Sequence, residues 1–528
     1  MYIDYDKRIK LIGFIFYVLE LKNKRKKIRI IKIVNYLVES YNKDYIINCS
    51  KNFSLEKIKY DINQKEAIYS DELFNLVLAG AGSGKTSTII GKINHLINDK
   101  KFLPEDIICF SFTNEAVKNL KDRLKYPVKV YTFHKFCLSF VLNKYNLDNN
   151  KLDYVIDEYF SGIIINNKKM IKKVIKCLNK RDYRNYEKYI VSKEMSYLKR
   201  EIKMFINLFK SYGYDYSKFL EIKSRRFKNI LLIIIDIYTL YLSELNATNT
   251  IDLDMLIVKA TKEIQKYKLH YKYIIIDEFQ DISKIRMDLI KSLANSCCAK
   301  IMAVGDDYQS IYNFSGSDIS ILFDIYKDNA TKVIYLKNNY RCCQELVNIS
   351  TKFIVKNKNQ IKKKIISNKY IKKPIIIVKE KENVLEKLLR TVCNSNKNVM
   401  VLGRNNNDIN KYLTPNMIYQ DSKIVLDEVS CNIYYKTTHA SKGLEADLII
   451  LINLTDSLTG FPSKIKHNAL SKQLTFFEEY KYASERRLFY VALTRSKGEV
   501  YLLSPKNRSC FLKEIIKDNK KNITYLDL

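Results

Sequence analysis

"NLVLAGAGSGKTSTII", residues 75–90, decides how this chain folds. Its apolar first half reads as a buried strand, and its small-residue centre reads as a turn into a helix beginning near Lys85. Backbone N–H groups in such a turn, aided by the helix N-terminus, cradle phosphate oxygens. The strict pattern wants glycine where Ala79 stands, but alanine is small enough at a strand end, and Gly80, Gly82 and Gly84 leave room for close approach. The expected cradle is Ala81, Gly82, Ser83, Gly84, Lys85, Thr86 and Ser87. Lys85 would reach the outer phosphates, and Thr86 would offer its hydroxyl to Mg²⁺. By itself this loop specifies ATP or GTP, no more.

Outward from it, the same grammar repeats. "FNLVLAG" (74–80), "IICFSF" (107–112), "YKYIIID" (271–277), "KIMAVGD" (300–306) and "KVIYL" (332–336) are short apolar runs, each followed by polar or helical sequence. Such alternation predicts an α/β fold with a parallel sheet and helices on both faces. Between about 135 and 245 the strand signal vanishes into Lys/Tyr/Leu-rich helical patterns, expected to be an insertion. A second set, "PIIIVKE" (374–380), "VMVLGR" (399–404), "CNIYYKT" (431–437), "LIILINL" (448–454) and "EVYLLS" (499–504), predicts another α/β domain. The expected division is a basic helical extension (1–58), a first domain (59–134 and 246–338), its helical insertion (135–245) and a second domain (339–528).

Bulk composition agrees with several globular domains: 528 residues, 47% hydrophobic and 28% charged. The net charge of +35 favours polyanionic partners. Eleven scattered cysteines without Cys-x-x-Cys indicate neither a zinc site nor a disulfide framework, and they point to a reducing compartment. "LIGFIFYVLEL" near the N-terminus lacks a cleavage site, and "ILLIIIDIYTLYL" (230–242) is short for a span and carries Asp236. The expectation is a cytoplasmic, nucleoid or viral-replication protein, neither secreted nor membrane-bound.

A second motif narrows the chemistry. "IIIDEFQD" (274–281) ends an apolar strand in adjacent carboxylates. In an NTPase sheet, Asp277 suits Mg²⁺ coordination and Glu278 suits polarising an attacking water. "VGDDYQSIYNFSG" (304–316) follows, with "FTNEAVKNLKDRL" (112–124), "VYTFHKFC" (130–137), "IDLDML" (251–256) and "LKNNYRC" (336–342) in order. "TTHASKGLEADLIIL" (437–451) and "SERRLFYVALTRSK" (484–497) complete the set. Together they resemble the UvrD/Rep/PcrA-type superfamily 1 DNA helicases, and the wording, with "GFP" at 460–462, resembles the helicase IV branch most.

The resemblance implies two RecA-like P-loop motor domains, with ATP hydrolysed between them to drive 3′→5′ stepping along single-stranded DNA. Gln64 resembles the family's adenine-reading glutamine and Gln309 its γ-phosphate sensor. Tyr340 and Arg341 resemble the pair that stacks on adenine and reaches the γ-phosphate. Glu445 resembles the ribose-holding residue, and Arg495 the second-domain arginine finger. The implied strand contacts are Phe112, Thr113, Asn114, Thr132, Phe133, His134, Tyr312, Phe314, Thr438 and His439. Phe314 stands where relatives commonly place tryptophan, and this chain has none. Between "LGRNNND" (402–408) and "NIYYKTTH" (432–439) too few residues remain for the family's large accessory subdomain, so a reduced or absent insertion near 405–431 is expected. That leaves single strands and single/double-strand junctions as expected partners, with duplex unwinding in question. An RNA- or protein-remodelling ATPase, or a binding module with weak unwinding, uses the same motifs.

Overall fold

A computed structural model describes residues 59–141, 144–178, 180, 186–222, 227–393, 397–465, 471–474 and 478–528. The basic stretch 1–58, expected to be helical, lies outside them. Six strands form the first sheet, in the order Lys129–Thr132, Ile107–Ser111, Tyr273–Ile276, Lys300–Gly305, Phe74–Leu78 and Thr331–Tyr335. Every pairing is parallel. Ile107–Ser111 and Tyr273–Ile276 are buried at all positions, as continuous apolar runs must be when helices cover both faces. Phe74–Leu78 and the next long strand in sequence, Ile107–Ser111, are separated by two others. Loops leaving these strands therefore diverge at the C-terminal edge, where a crevice opens. Residues 79–84, Asp277, Asp306 and Phe112 all leave the sheet at that edge.

The helical insertion has its own core, in which Phe205, Phe209, Phe219, Ile233 and Ile237 are buried together. Its neck is pinned by a two-residue parallel ladder, Asn146–Leu147 against Thr250–Ile251. The apolar run at 230–242 lies in a longer helix, Lys228–Ala247, which by length and composition could cross a membrane. Here Ile233, Ile234, Ile237, Tyr241 and Leu245 of that helix are buried, and Asp236 accepts from Tyr159 Oη at 3.3 Å. The far end of helix Lys193–Ser211 abuts Gly316. A side chain at Gly316 (φ +91°) would overlap the Ser211 hydroxyl, so helix and loop meet without a gap.

The second sheet has eight strands: Met417–Gln420, Lys423–Leu426, Asn432–Thr437, Asn398–Gly403, Leu448–Leu451, Val500–Ser504, Ile375–Lys379 and Ile523–Leu526. Its interior is parallel, and the first two strands form an antiparallel hairpin on one edge. Residues 405–431 thus hold a short 3₁₀ turn, Asn406–Lys411, and that hairpin. Helices such as Gln344–Ile354 and Ala483–Leu493 pack on one face through Leu346, Phe353, Leu488 and Phe489.

Phe209 stacks on Phe219 with ring centroids 4.3 Å apart and is fully buried. Phe209→Ala should cost the fold about 3–5 kcal/mol through the cavity it leaves. Chemical denaturation followed by circular dichroism checks this, and a midpoint equal to wild type would show that the insertion's core does not depend on the ring.

Candidate functional site

The turn after strand Phe74–Leu78 adopts the backbone its glycines permit: Gly82 has φ +73° and Gly84 φ +81°. Ser83 Oγ donates to Gly80 O at 2.9 Å and holds the loop closed on itself. No side chain caps the helix Lys85–Asn98 that follows, which leaves its first N–H groups to an anion. Thr86 lies half-buried on the first helical turn, while the Ser87 hydroxyl accepts from Arg123 Nη2 at 3.1 Å.

Lys85 Nζ lies 2.7 Å from Glu278 Oε2. Glu278 itself has φ +51°, a left-handed conformation that costs a non-glycine residue about 1–3 kcal/mol and is typical of functional turns. Its N–H donates to Asp277 Oδ1 at 2.9 Å. Burial alone would raise the Glu278 carboxyl, but Lys85 and Lys442 outweigh it and hold it at about 2. Burial and the Glu278 charge push Asp277 the other way, to about 6. Lys85 is raised: burial opposes its charge, but Glu278, Asp277 and Asp306 prevail. One carboxylate is therefore firmly ionised beside a cation, and its neighbour is held above the usual carboxylate range.

The opposite wall comes from the second domain. Tyr340 N–H donates to Gly82 O at 2.8 Å, and a Cβ added at Gly82 would lie 2.6 Å from Arg341 Cβ. Arg341 Nε donates to Glu445 Oε2 at 2.9 Å and its Nη1 to Thr494 O at 3.2 Å. Arg495 is buried, and its Nη2 donates to Gln309 Oε1 at 3.0 Å. Its other acceptors are the carbonyls of Val491 and Leu444. Burial and the nearby Arg341 pull the Arg495 guanidinium down to about 10. A guanidinium hydrogen-bonded to neutral acceptors is poised for an anion. At the outer rim, Tyr340 Oη donates to Asp61 Oδ2 at 2.5 Å and lies 3.5 Å from Gln64 Oε1. Gln64, Tyr340 and Gly84 thus converge on one spot, with half of the Tyr340 surface exposed.

Two family models match the chain: residues 61–330 match the UvrD/REP helicase N-terminal domain, and residues 379–507 match the UvrD-like helicase C-terminal domain. The chain belongs to the UvrD/REP helicase family. It is 26% identical over 489 residues to DNA helicase IV of Escherichia coli, covering 86% of this chain and 69% of that one. It is 30% identical to the ATP-dependent DNA helicase Rep of Buchnera aphidicola over 62% of this chain and 49% of that protein. A probable DNA helicase of Mycoplasma pneumoniae is 25% identical over 84% of this chain and 82% of its own length. The two sheets are accordingly the RecA-like motor domains of a UvrD-like helicase.

Beside the cleft in this family member lies an open groove of about 630 Å³, lined by Phe314, His439, Arg404, Asn405, Glu485 and Leu488 among others. Phe314 is 49% exposed and meets His439 edge-on at 5.4 Å; Tyr312 is half-buried beside them. Phe112 is half-buried under the Arg286 guanidinium, 5.4 Å away, and Thr113 and Asn114 are exposed at the start of the next helix. His134 is half-buried nearby. Burial, helped by Arg286 at His134 and by Arg404 at His439, lowers both imidazoles to about 4, so they are neutral at ordinary pH. Three of the expected contact residues turn inward. Phe133 stacks on Phe110 in the core, Thr132 is buried, and Thr438 Oγ1 is spent on Gly403 O at 3.1 Å. Phe133 and Thr438 offer a strand only what their backbone and neighbours present.

Some residues of the cleft escape a reading of sequence alone. Gln280 donates Nε2 to Glu278 Oε2 at 2.5 Å and accepts from Asp306 N at 2.8 Å, joining two strand ends. It stands inside "DEFQD", and that position was its only signal. Asn339 donates to Ala81 O at 2.6 Å and accepts from Arg341 N, fastening the second domain's first residues to the phosphate loop. Lys442 crosses the domains to pair with Asp281 and donates to Gln309 O at 2.8 Å.

Gly82→Ala would place a methyl group against Arg341 in a left-handed conformation. A fluorescent ATP analogue should bind this variant at least about tenfold more weakly, a loss of about 1.4 kcal/mol. Wild-type affinity would mean that the loop and Arg341 do not enclose the nucleotide.

Proposed function

We propose that this chain is an ATP-driven translocase on single-stranded DNA that steps 3′→5′, with Mg²⁺ as its metal and junctions as its loading sites. One arrangement carries the reading. The phosphate loop of the first domain and the arginines of the second face each other, and the aromatic groove opens beside them on loop 304–316, which also carries Gln309. Gly82 and Gly84 leave no room for side chains in the cradle, as close phosphate approach requires. Thr86 and Asp277 would hold Mg²⁺, a hard cation suited to a hydroxyl and a carboxylate, which neutralises charge on the phosphates when bound.

Residue chemistry follows from that placement. Lys85 leaves Glu278 for the phosphates when nucleotide enters, freeing a fully ionised carboxylate to orient water. Arg341 and Arg495 stabilise developing charge only while the domains are closed, because both belong to the second domain. Loss of the γ-phosphate removes their shared anion, and the cleft relaxes. Gln309 sits on the same segment as Phe314, so the change reaches the ring on which a base stacks. The hairpin at 417–426 replaces a folded accessory subdomain, so stepping is strong and duplex separation weak. The cytoplasm or nucleoid, or a viral replication compartment, is the setting that this substrate implies.

Lys85→Ala should abolish DNA-stimulated ATP hydrolysis, lowering it at least about 100-fold, and turnover near wild type would refute the assignment of the loop. Phe314→Ala should weaken single-strand binding by about 1–3 kcal/mol without changing the melting temperature. Binding equal to wild type would take the ring out of the strand path. Strand displacement on substrates with 3′ or 5′ tails tests polarity: product from 5′ tails alone contradicts 3′→5′ stepping.

A further inference from the structure

Residues 357–367 leave the second domain and return to the first, running beneath the phosphate loop. From Ile361 to Ile366 burial alternates: Ile361, Lys363 and Ile365 are buried while Lys362, Lys364 and Ile366 are exposed. Ile365 packs against Gly80, where a Cβ would lie 2.8 Å from its Cδ1. Lys363 therefore enters the protein between two apolar anchors, with only 3% of its side chain exposed. Its ammonium has three donors, and each has a partner: the Asp306 carboxylate, Asp307 Oδ1 at 2.7 Å and Ala79 O at 3.1 Å. The Tyr308 ring lies 3.8 Å from it. Two anionic partners hold the amine charged despite its burial.

The Asp306 carboxylate has a second task. Its Oδ1 pairs with Lys363, while Oδ2 accepts from Gln309 Nε2 at 2.6 Å. That bond fixes which way the Gln309 amide points, and so aims Oε1 at Arg495 Nη2, 3.0 Å away. If Asp306 swings, the amide loses the side-chain acceptor that orients it. We infer that Lys363 is a positioning residue of the ATP cleft: it clamps Asp306, and through Asp306 it sets Gln309 and the arginine Gln309 holds. Lys363 touches no substrate itself. It also donates to the carbonyl of Ala79, the first residue of the phosphate loop, so one ammonium references both the loop and the sensor glutamine. This role rests on the ATP-cleft reading proposed above.

The test is a mutant cycle on DNA-stimulated ATP hydrolysis. Lys363→Met keeps the stem and removes the charge. With folding verified by melting, its kcat should fall about 10- to 100-fold, the usual cost of a slight misplacement near a reacting centre. KM for ATP should stay within about threefold, because binding contacts are retained. In a Gln309→Ala background the same substitution should cost less than about threefold more, since the path it acts through is already cut. If Lys363→Met is too unstable to assay, Asp306→Asn reads the same path: Asp307 still neutralises Lys363, the shape is kept, and kcat should fall likewise. Full additivity in the double variant, or wild-type kcat in Asp306→Asn, overturns the positioning role. A wild-type chain without DNA-stimulated ATPase would instead overturn the cleft reading, so the two failures are distinct.

Discussion

Burying a cation between two domains costs several kcal/mol unless each of its donors is answered, and the contact between the motor domains is built on that constraint. Lys363, Lys442, Arg487 and Arg495 come from beyond residue 339 and are almost wholly withdrawn from water. Their partners come mainly from the first domain: Asp306 and Asp307, Asp281, the Ser310 carbonyl and Gln309. These acceptors lie on two segments, 281 and 306–310, that leave adjacent strands of the first sheet. Any opening of the cleft must re-solvate or re-pair these cations. The closed arrangement thus depends on charge satisfaction as well as on the apolar seam of Ala81, Tyr308, Ile354 and Tyr490.

The same constraint ties catalysis to the strand groove. Gln309 and Phe314 are five residues apart on a loop held by Lys442, whose ammonium reaches Asp281 and the Gln309 carbonyl and lies 5.0 Å from the Tyr312 ring. Tyr312 in turn donates to the His439 carbonyl at 3.3 Å. A change of charge at the phosphate end alters what Lys442 and Arg495 must balance, and both are attached to the loop that carries the exposed ring. No long relay is required, because Gln309 and Phe314 share one short piece of backbone.

Much of this was legible in the sequence. All ten apolar runs read as strands are strands, because a parallel sheet covered on both faces leaves short, continuous, β-branched stretches that few other structures use. The hairpin Met417–Gln420 and Lys423–Leu426 falls where a reduced insertion was expected, while strands Lys129–Thr132 and Ile523–Leu526 were not anticipated. Edge strands carry exposed residues, such as Ile418 on Met417–Gln420 and Tyr525 on Ile523–Leu526, so their pattern is mixed. Motif wording located the cleft residues but could not say which side chains turn inward. Phe133 and Thr438 are buried by packing and by a carbonyl that lies far away in sequence. Lys363 was hidden in "KNKNQIKKKIIS", a run that looks like a solvated basic face. Its signal was the period-two alternation of Ile361, Lys363 and Ile365, visible only once an extended conformation is assumed.

The contact between Gly316 and Ser211 has a mechanical meaning. Two residues beyond Phe314, the chain passes so close to the end of a nineteen-residue helix that no side chain fits between them. The helix is anchored at depth in the insertion's aromatic core, so it behaves as a stiff strut. A load applied to the insertion is delivered at that point with little loss. The exposed ring of Phe314 and the insertion are thus mechanically in series.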